Sequence, residues 1–341
     1  MSARILHVAK VAGISGSENH LLLLLPALRE RGHDVRFAML HEDEPGAADL
    51  ADRLRGAGVP VEEIRLPTPA DPRAFARLHG IVRRARPEIL HTHLVHADFL
   101  GLTAGRLARV PVLASTKHGF NEFRANRAFA LADRSLARLA DLHIAISAGL
   151  ARYLAEQEDL PEERFEIVHY GIEPGPTPAL LPRAPRLAIV GRLIPIKGHA
   201  VLLQALVAAR TAVPSLTLEV AGEGPLAAEL RASVTRLDLD DAVTFLGRVA
   251  PPAPVFERAE IVVVPSFGEG FGMVALEAME RGRAVIGSKV GGLPEIVEDG
   301  RTGLLVPPWD FLLAVLAAFA LERLWRLVRE RRSPAAVSAR R

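Results

Sequence analysis

Cysteine is absent from all 341 residues. That excludes disulfides and thiol chemistry, and it leaves the redox state of the compartment unmarked. Long hydrophobic runs are also missing: the longest apolar stretches, 21–25 and 311–321, fall short of the roughly 20 residues that a membrane-spanning helix needs. The N-terminus MSARILHVAK opens directly in a strand pattern, so no secretory signal is expected. Charge of one sign is scarce, with a net charge of only +2 beside a pI of about 9.3. The basic residues are mostly arginine, with four lysines among 42. This balance gives no field for nucleic acid and leaves anionic small molecules or anionic lipid as partners. At this length one core is too few, and two α/β domains are expected.

What is present gathers in 261–295, IVVVPSFGEGFGMVALEAMERGRAVIGSKVGGLPE. The β-branched run Ile261 to Val264 reads as a strand covered on both faces of a parallel sheet. Residues 272–281 have apolar positions at helical spacing and a glycine stop at Gly282. Between them Gly268, Gly270 and Gly272 carry the chain from strand end to helix start, where the amides of Phe271, Gly272 and Met273 and the helix dipole favour phosphate. Glu269 lies in the loop, and Glu277, eight residues on, can accept hydrogen bonds from a ribose diol. Amides for phosphate with one carboxylate for a sugar and one for a ribose describe a nucleotide-sugar pocket.

The first half of the chain reads as alternating strands and helices. Strands are expected at 4–9, 33–40, 88–92, 112–116 and 142–146, with helices at 19–31, 50–57, 74–84, 123–139 and from Ser147, a helix cap, to about 156. Pro26 should kink the first helix. His91 and His93 alternate on a strand with His96 nearby, and could pair on a metal. No third ligand is visible, so no metal is expected. His118 follows a strand at the carboxyl edge, where open α/β sheets bind ligands. The arginine-rich helix at 123–139 and basic residues at 73, 77, 83, 84 and 86 suit either a solvated surface or anionic lipid.

Residues 171–186 hold five prolines and mark the domain boundary: a first domain at 1–170, a linker at 171–186, a second domain at 187–310 and a tail at 311–341. After the strand at 187–190, Arg192 and Lys197 stand five apart in one loop and supply the cations that a departing diphosphate requires. Gly222-Glu223-Gly224-Pro225-Leu226-Ala227 follows the strand at 216–221 and fits the dinucleotide fingerprint, with acidic residues Asp240 and Asp241 further on. Asp238-Leu239-Asp240 mimics a metal-binding pair but sits before the strand at 243–246, at the wrong edge.

From Ile5 to about Asp310, and above all in PSFGEGFGMVALEAM and AVIGSKVGGLPEIVEDGRTGLLV, the chain resembles glycosyltransferase family 4, retaining enzymes of GT-B fold (glycosyl transferases group 1). The resemblance implies two Rossmann-like doubly wound domains facing across a cleft, with the donor on the second and the acceptor on the first. It implies His118 at the transferred sugar, Arg192 and Lys197 at the diphosphate, Gly222 near the base, and Glu269 and Glu277 at sugar and ribose. Gly16-Ser17-Glu18 stands where relatives carry two glycines and an acid, so Gly16 alone lets backbone approach a ligand.

The expected reaction moves a hexose-type sugar from a UDP or GDP sugar to an acceptor hydroxyl, without metal or cofactor. Sugar-containing or lipid-linked acceptors fit it, in lipopolysaccharide, glycolipid or envelope polysaccharide synthesis, in the cytoplasm or peripheral on the inner membrane face. A nicotinamide-dependent oxidoreductase using the Gly222 loop and a catalytically inactive, truncated sugar-nucleotide binder stay open. After Asp310 only 31 residues remain (341 − 310), expected as one helix at 311–331 and a disordered end, where relatives continue through several helices.

Overall fold

The structure, a computed structural model, describes residues 2–42, 44–68, 71–120, 127–175 and 185–311. The chain divides into two compact units, Met1–Ile172 and Glu173–Arg341.

In the first unit the parallel strands are β1 (Arg4–Lys10), β2 (Asp34–His41), β3 (Val61–Arg65), β4 (Ile89–His93), β5 (Val112–Lys117), β6 (Leu142–Ala145) and β7 (Phe165–Ile167), in sheet order β3-β2-β1-β4-β5-β6-β7. Order reverses between β1 and β4, the switch point at which such sheets bind ligands. Helices α1 (Gly16–Glu30), α2 (Pro45–Gly56), α3 (Pro72–Ala85), α4 (Val95–Leu107), α5 (Arg127–Ala137) and α6 (Ala148–Glu158) alternate with the strands. Strand parity sorts the core. Leu6 and Val8 join Leu78, Ile81 and Leu102 in one cluster, whereas Ile5 and Ala9 join Leu21, Leu25 and Leu50 in the other. Both faces are therefore covered, as the apolar strands require. Helix α1 runs through Pro26, and Ser147 caps α6 by accepting the Leu150 amide at 3.0 Å.

In the second unit the order is β10-β9-β8-β11-β12-β13, again all parallel. These strands are β8 (Arg186–Val190), β9 (Thr217–Ala221), β10 (Val243–Gly247), β11 (Ile261–Val264), β12 (Ala284–Ser288) and β13 (Gly303–Val306). Helices α7 (His199–Ala212), α8 (Ala227–Arg236), α9 (Ala253–Arg258), α10 (Met273–Glu280) and α11 (Leu293–Ile296) flank them. Alternate residues again feed two cores: Leu187, Ile189 and Val263 face one, Ala188, Val262 and Val264 the other. The pattern switches between β8 and β11, so loops leaving these neighbours lie side by side at the carboxyl edge.

Sequence periodicity marks no strand at β3 or β7 and no helix at α4 or α7; the structure has all four. Phe311, the last described residue, is fully buried in the first of the second unit's cores. Beyond Phe311, the expected tail helix at 311–331 and the disordered end lie outside the described residues, as do most of the proline-rich linker (176–184) and positions 123–126 of the arginine-rich helix expected at 123–139.

Candidate functional site

In the second unit four loops meet at the carboxyl edge, and glycine lets them touch backbone to backbone. Gly198, with φ +70°, closes the loop after β8, and a Cβ there would run into the Pro265 carbonyl. Gly222 and Gly224, after β9, lie against the backbone of Gly191 and Leu193. Gly291, after β12, lies against the carbonyl of Glu269, which also accepts the Gly292 amide at 2.9 Å. Phe267 N–H donates to the Ile196 carbonyl at 2.8 Å. Loops after β8, β9, β11 and β12 thus form one rim.

Lys197 and Glu269 come from either side of the β8/β11 switch point and meet in an ion pair of 2.6 Å, Nζ to Oε2. Ser266 Oγ donates to the same Oε2 at 3.1 Å. Arg192 is exposed on the Lys197 loop and makes no ion pair among the described residues. Gly270 and Phe271 are buried, and Gly272, with φ +105°, is the N-cap residue of α10. Its missing Cβ leaves room for Leu293 Cδ2, which would stand 2.7 Å away. Met273 opens the helix, and Glu277 lies one turn in, partly buried. Burial pushes the Glu277 carboxyl up to about 7.

In the Gly222 loop both glycines are required by the backbones of Gly191 and Leu193, which an added Cβ would strike. It leaves β9, one strand away from the switch point. Asp238-Leu239-Asp240 lies between α8 and β10, at the amino edge of the sheet.

In the first unit, Gly16 begins α1 after the N-cap Ser15, and Glu18 takes the Ser15 N–H at 3.0 Å and its Oγ–H at 2.5 Å. This acid is spent on a capping box. His118 lies just past β5 and is flanked by groups that the sequence reading did not join. Its Nε2 bonds His93 Nδ1 at 3.0 Å, and its Nδ1 bonds the Tyr170 hydroxyl. His93 Nε2 in turn bonds His7 Nδ1 at 2.9 Å. Register sets this up: His7 on β1 pairs with His91 on β4, and His93 is two residues further along the same face. His7, His91 and His93 each offer a ring nitrogen within 4.8 Å of the others, a group that could hold a metal ion. The third histidine, invisible in sequence, is His7. His91 Nε2 is already engaged with Thr116 Oγ1 at 2.6 Å. Burial first, and neighbouring histidines second, hold His7 and His93 well below the usual imidazole range. Burial likewise lowers His118, together with His20, His91 and Lys117. His96 is on α4, outside this group.

Beneath His118, Lys117 is 3% exposed and reaches Asp98 of α4 at 2.5 Å, Asp133 of α5 at 3.4 Å and Glu158 of α6 at 3.5 Å. Burial alone would lower its pKa, but the charges of Asp98, Glu158 and Asp133 raise it above the usual range. Thr92 and Ser115 donate to Asp98 at 2.5 and 2.9 Å.

Two family models match the chain. The one described as Glycosyltransferase Family 4 covers residues 14–175, and the one described as Glycosyl transferases group 1 covers 184–324. A D-inositol 3-phosphate glycosyltransferase of Arthrobacter sp. (strain FB24) is 31% identical over 288 residues, 76% of this chain and 64% of that protein. An alpha-maltose-1-phosphate synthase of Mycolicibacterium smegmatis is 32% identical over 250 residues, 64% of each. The chain thus spans less than two thirds of the length of the curated relatives it matches. Among solved structures, Anabaena HepE in complex with UDP-glucose aligns with TM-score 0.80 at 21% identity, over 94% of this chain and 91% of that one. The lipopolysaccharide outer core galactosyltransferase WaaB aligns with TM-score 0.74 at 18% identity, over 92% and 90%. These likenesses establish the fold.

Proposed function

Because the chain belongs to glycosyltransferase family 4, we propose that it moves a sugar from a nucleoside diphosphate sugar to an acceptor hydroxyl with the anomeric configuration retained and no metal required. The observation that carries this is the meeting of Lys197 and Glu269 at the switch point, beside the N-terminus of α10 and the partly buried Glu277. A leaving diphosphate develops negative charge as the glycosidic bond breaks. Lys197, Arg192 and the amides of Phe271, Gly272 and Met273 are donors fixed in advance where that charge grows. Glu269 holds sugar hydroxyls and Glu277 the ribose. His118 is the first unit's contribution to transfer, and Gly222 braces the rim around the donor by resting on Gly191.

UDP or GDP sugars are the donor class, a reading supported by a neighbour solved with UDP-glucose; relatives named for inositol phosphate and maltose phosphate support a sugar or polyol acceptor. Envelope glycans are the setting we favour, with the protein in the cytoplasm, peripheral on the inner membrane. No helix among the described residues is long and apolar enough to cross a membrane.

The test is a thermal-shift screen of UDP and GDP sugars against NADH, followed by nucleotide release. A nucleotide sugar should raise the melting temperature and be turned over, and NADH should do neither. Stabilisation by NADH alone, or binding without turnover under any acceptor tried, would sink the reading.

A further inference from the structure

Four side chains from separate segments form an unbroken hydrogen-bonded row in the first unit. His7 is on β1, His93 on β4, His118 just past β5, and Tyr170 beyond β7. Because β1, β4 and β5 are consecutive neighbours in the sheet, the row crosses the switch point at the carboxyl edge. His7 and His93 are each 1% exposed and Tyr170 is 6% exposed.

A neutral imidazole has one donor and one acceptor nitrogen. Three in series therefore permit only two patterns, in which every ring passes its proton the same way along the row. In either pattern both nitrogens of His118 are engaged. At the far end, His7 Nε2 is buried without a hydrogen-bond partner among the described residues. A proton has no exit there, so the row orients and does not conduct. Stacking adds to the grip: the His93 and His118 rings lie 5.2 Å apart at 29°, and His20 stacks on Tyr170 at 4.4 Å.

We propose that His93 and Tyr170 are positioning residues for His118, gripping its ring at both nitrogens and so fixing its plane and tying its tautomer to the one direction in which the whole row runs. The inference rests on the reading of His118 as the first unit's contribution to sugar transfer. A free imidazole would flip between ring orientations and exchange its proton between the two nitrogens. One held at both ends cannot flip without breaking two hydrogen bonds, and can gain a proton only if the donor direction on one side of it reverses. It meets the sugar as a neutral wall of fixed shape, a preorganisation whose loss costs turnover rather than donor affinity.

The experiment pairs two readouts on the full chain. In long-range proton–nitrogen spectra of histidine-labelled protein at pH 7, His118 should show one neutral tautomer, and Tyr170→Phe should give averaged or reversed ring nitrogens. In nucleotide release from UDP-glucose or a GDP sugar, Tyr170→Phe and His93→Leu should lower kcat about tenfold while KM stays within about twofold. His93→Asn, whose amide reaches the Nδ1 position, should recover most of that loss. Averaged tautomers in the unaltered protein would overturn the proposal. So would Tyr170→Phe and His93→Leu enzymes as fast as the parent when His118→Ala is slow, or Co2+ binding with d–d absorption that shows these rings ligating metal. If no nucleotide sugar is turned over, the transferase reading falls, and the spectra alone decide whether His118 is held.

Discussion

Lys197 and Glu269 neutralise each other at 2.6 Å, so each mutation at this pair has two effects. Lys197→Ala removes charge from the leaving group and should lower turnover by about 10², as losing one oxyanion donor does. Arg192→Ala should act alike. Glu269→Gln keeps the shape and frees the lysine. UDP or GDP affinity should hold or rise while transfer falls, measured by calorimetry and nucleotide release; weaker nucleotide binding in Glu269→Gln would show that the carboxylate serves the nucleotide instead. Glu277 gives a pH test. Its carboxyl titrates near 7 when folded, against 4.5 as the ordinary value. Between those pH values the folded chain keeps a proton that the unfolded chain has released, so stability falls as pH rises through the window. Glu277→Gln should match the parent near pH 4.5 and exceed it at pH 8 by about 1–2 kcal/mol, solvent screening included. Denaturant titrations at the two pH values check this, and equal stability differences at both would refute it. Carboxylate and glycine positions in the second unit were readable because they lie close in sequence. The histidine row was not: His7 and His93 are 86 positions apart, and only strand register joins them.

Elements with a single apolar signature were legible in the sequence. The run at β11 is continuous, as a doubly covered strand demands, and its limits of 261–264 match the structure. Helix α4 escaped because it is buried almost all round, with Val95, Leu100, Gly101 and Leu102 inside, and so has no polar face to give a period. Gly101 and Gly105 let it approach Thr92, Leu90 and Leu113 of the sheet. Strand β3, VEEIR, buries only Ile64 and reads as polar, and β7 has three residues. At this scale Lys117 is the tie that holds α4, α5 and α6 to the end of β5. Lys117→Met would remove the cation that three buried carboxylates share, and breaking a buried pair in this way costs about 3–5 kcal/mol. A drop of that order in chemical denaturation is expected, and a loss below about 1 kcal/mol would mean that the acids are satisfied without the lysine.

At the scale of the whole molecule, each unit has cores on both faces of its own sheet. The second also holds Arg192, Lys197, Glu269 and Glu277. Expressed alone from Glu173 onward, with Phe311 retained because it is fully buried there, this unit should bind UDP or GDP as the full chain does, yet turn over no donor. Calorimetry on the isolated unit tests this, and loss of nucleotide affinity would place part of the nucleotide site in the first unit. The two-domain plan was legible from length and from the prolines of 171–186, since neither depends on distant contacts.

The rim of the second sheet has a consequence for how such a protein changes over generations. Its loops are located by main chain resting on main chain, at Gly191 with Gly222, Gly198 with Pro265 and Gly291 with Glu269. Apart from the Lys197–Glu269 pair and Ser266, side chains on the rim contribute little to holding it. On the proposed reading, substitutions among the others can retune which sugar or base is accepted while the framework keeps its shape, whereas one added methyl at Gly198, Gly222 or Gly291 deforms the frame itself. Donor preference is thus free to drift in small steps, and the glycines cannot drift with it.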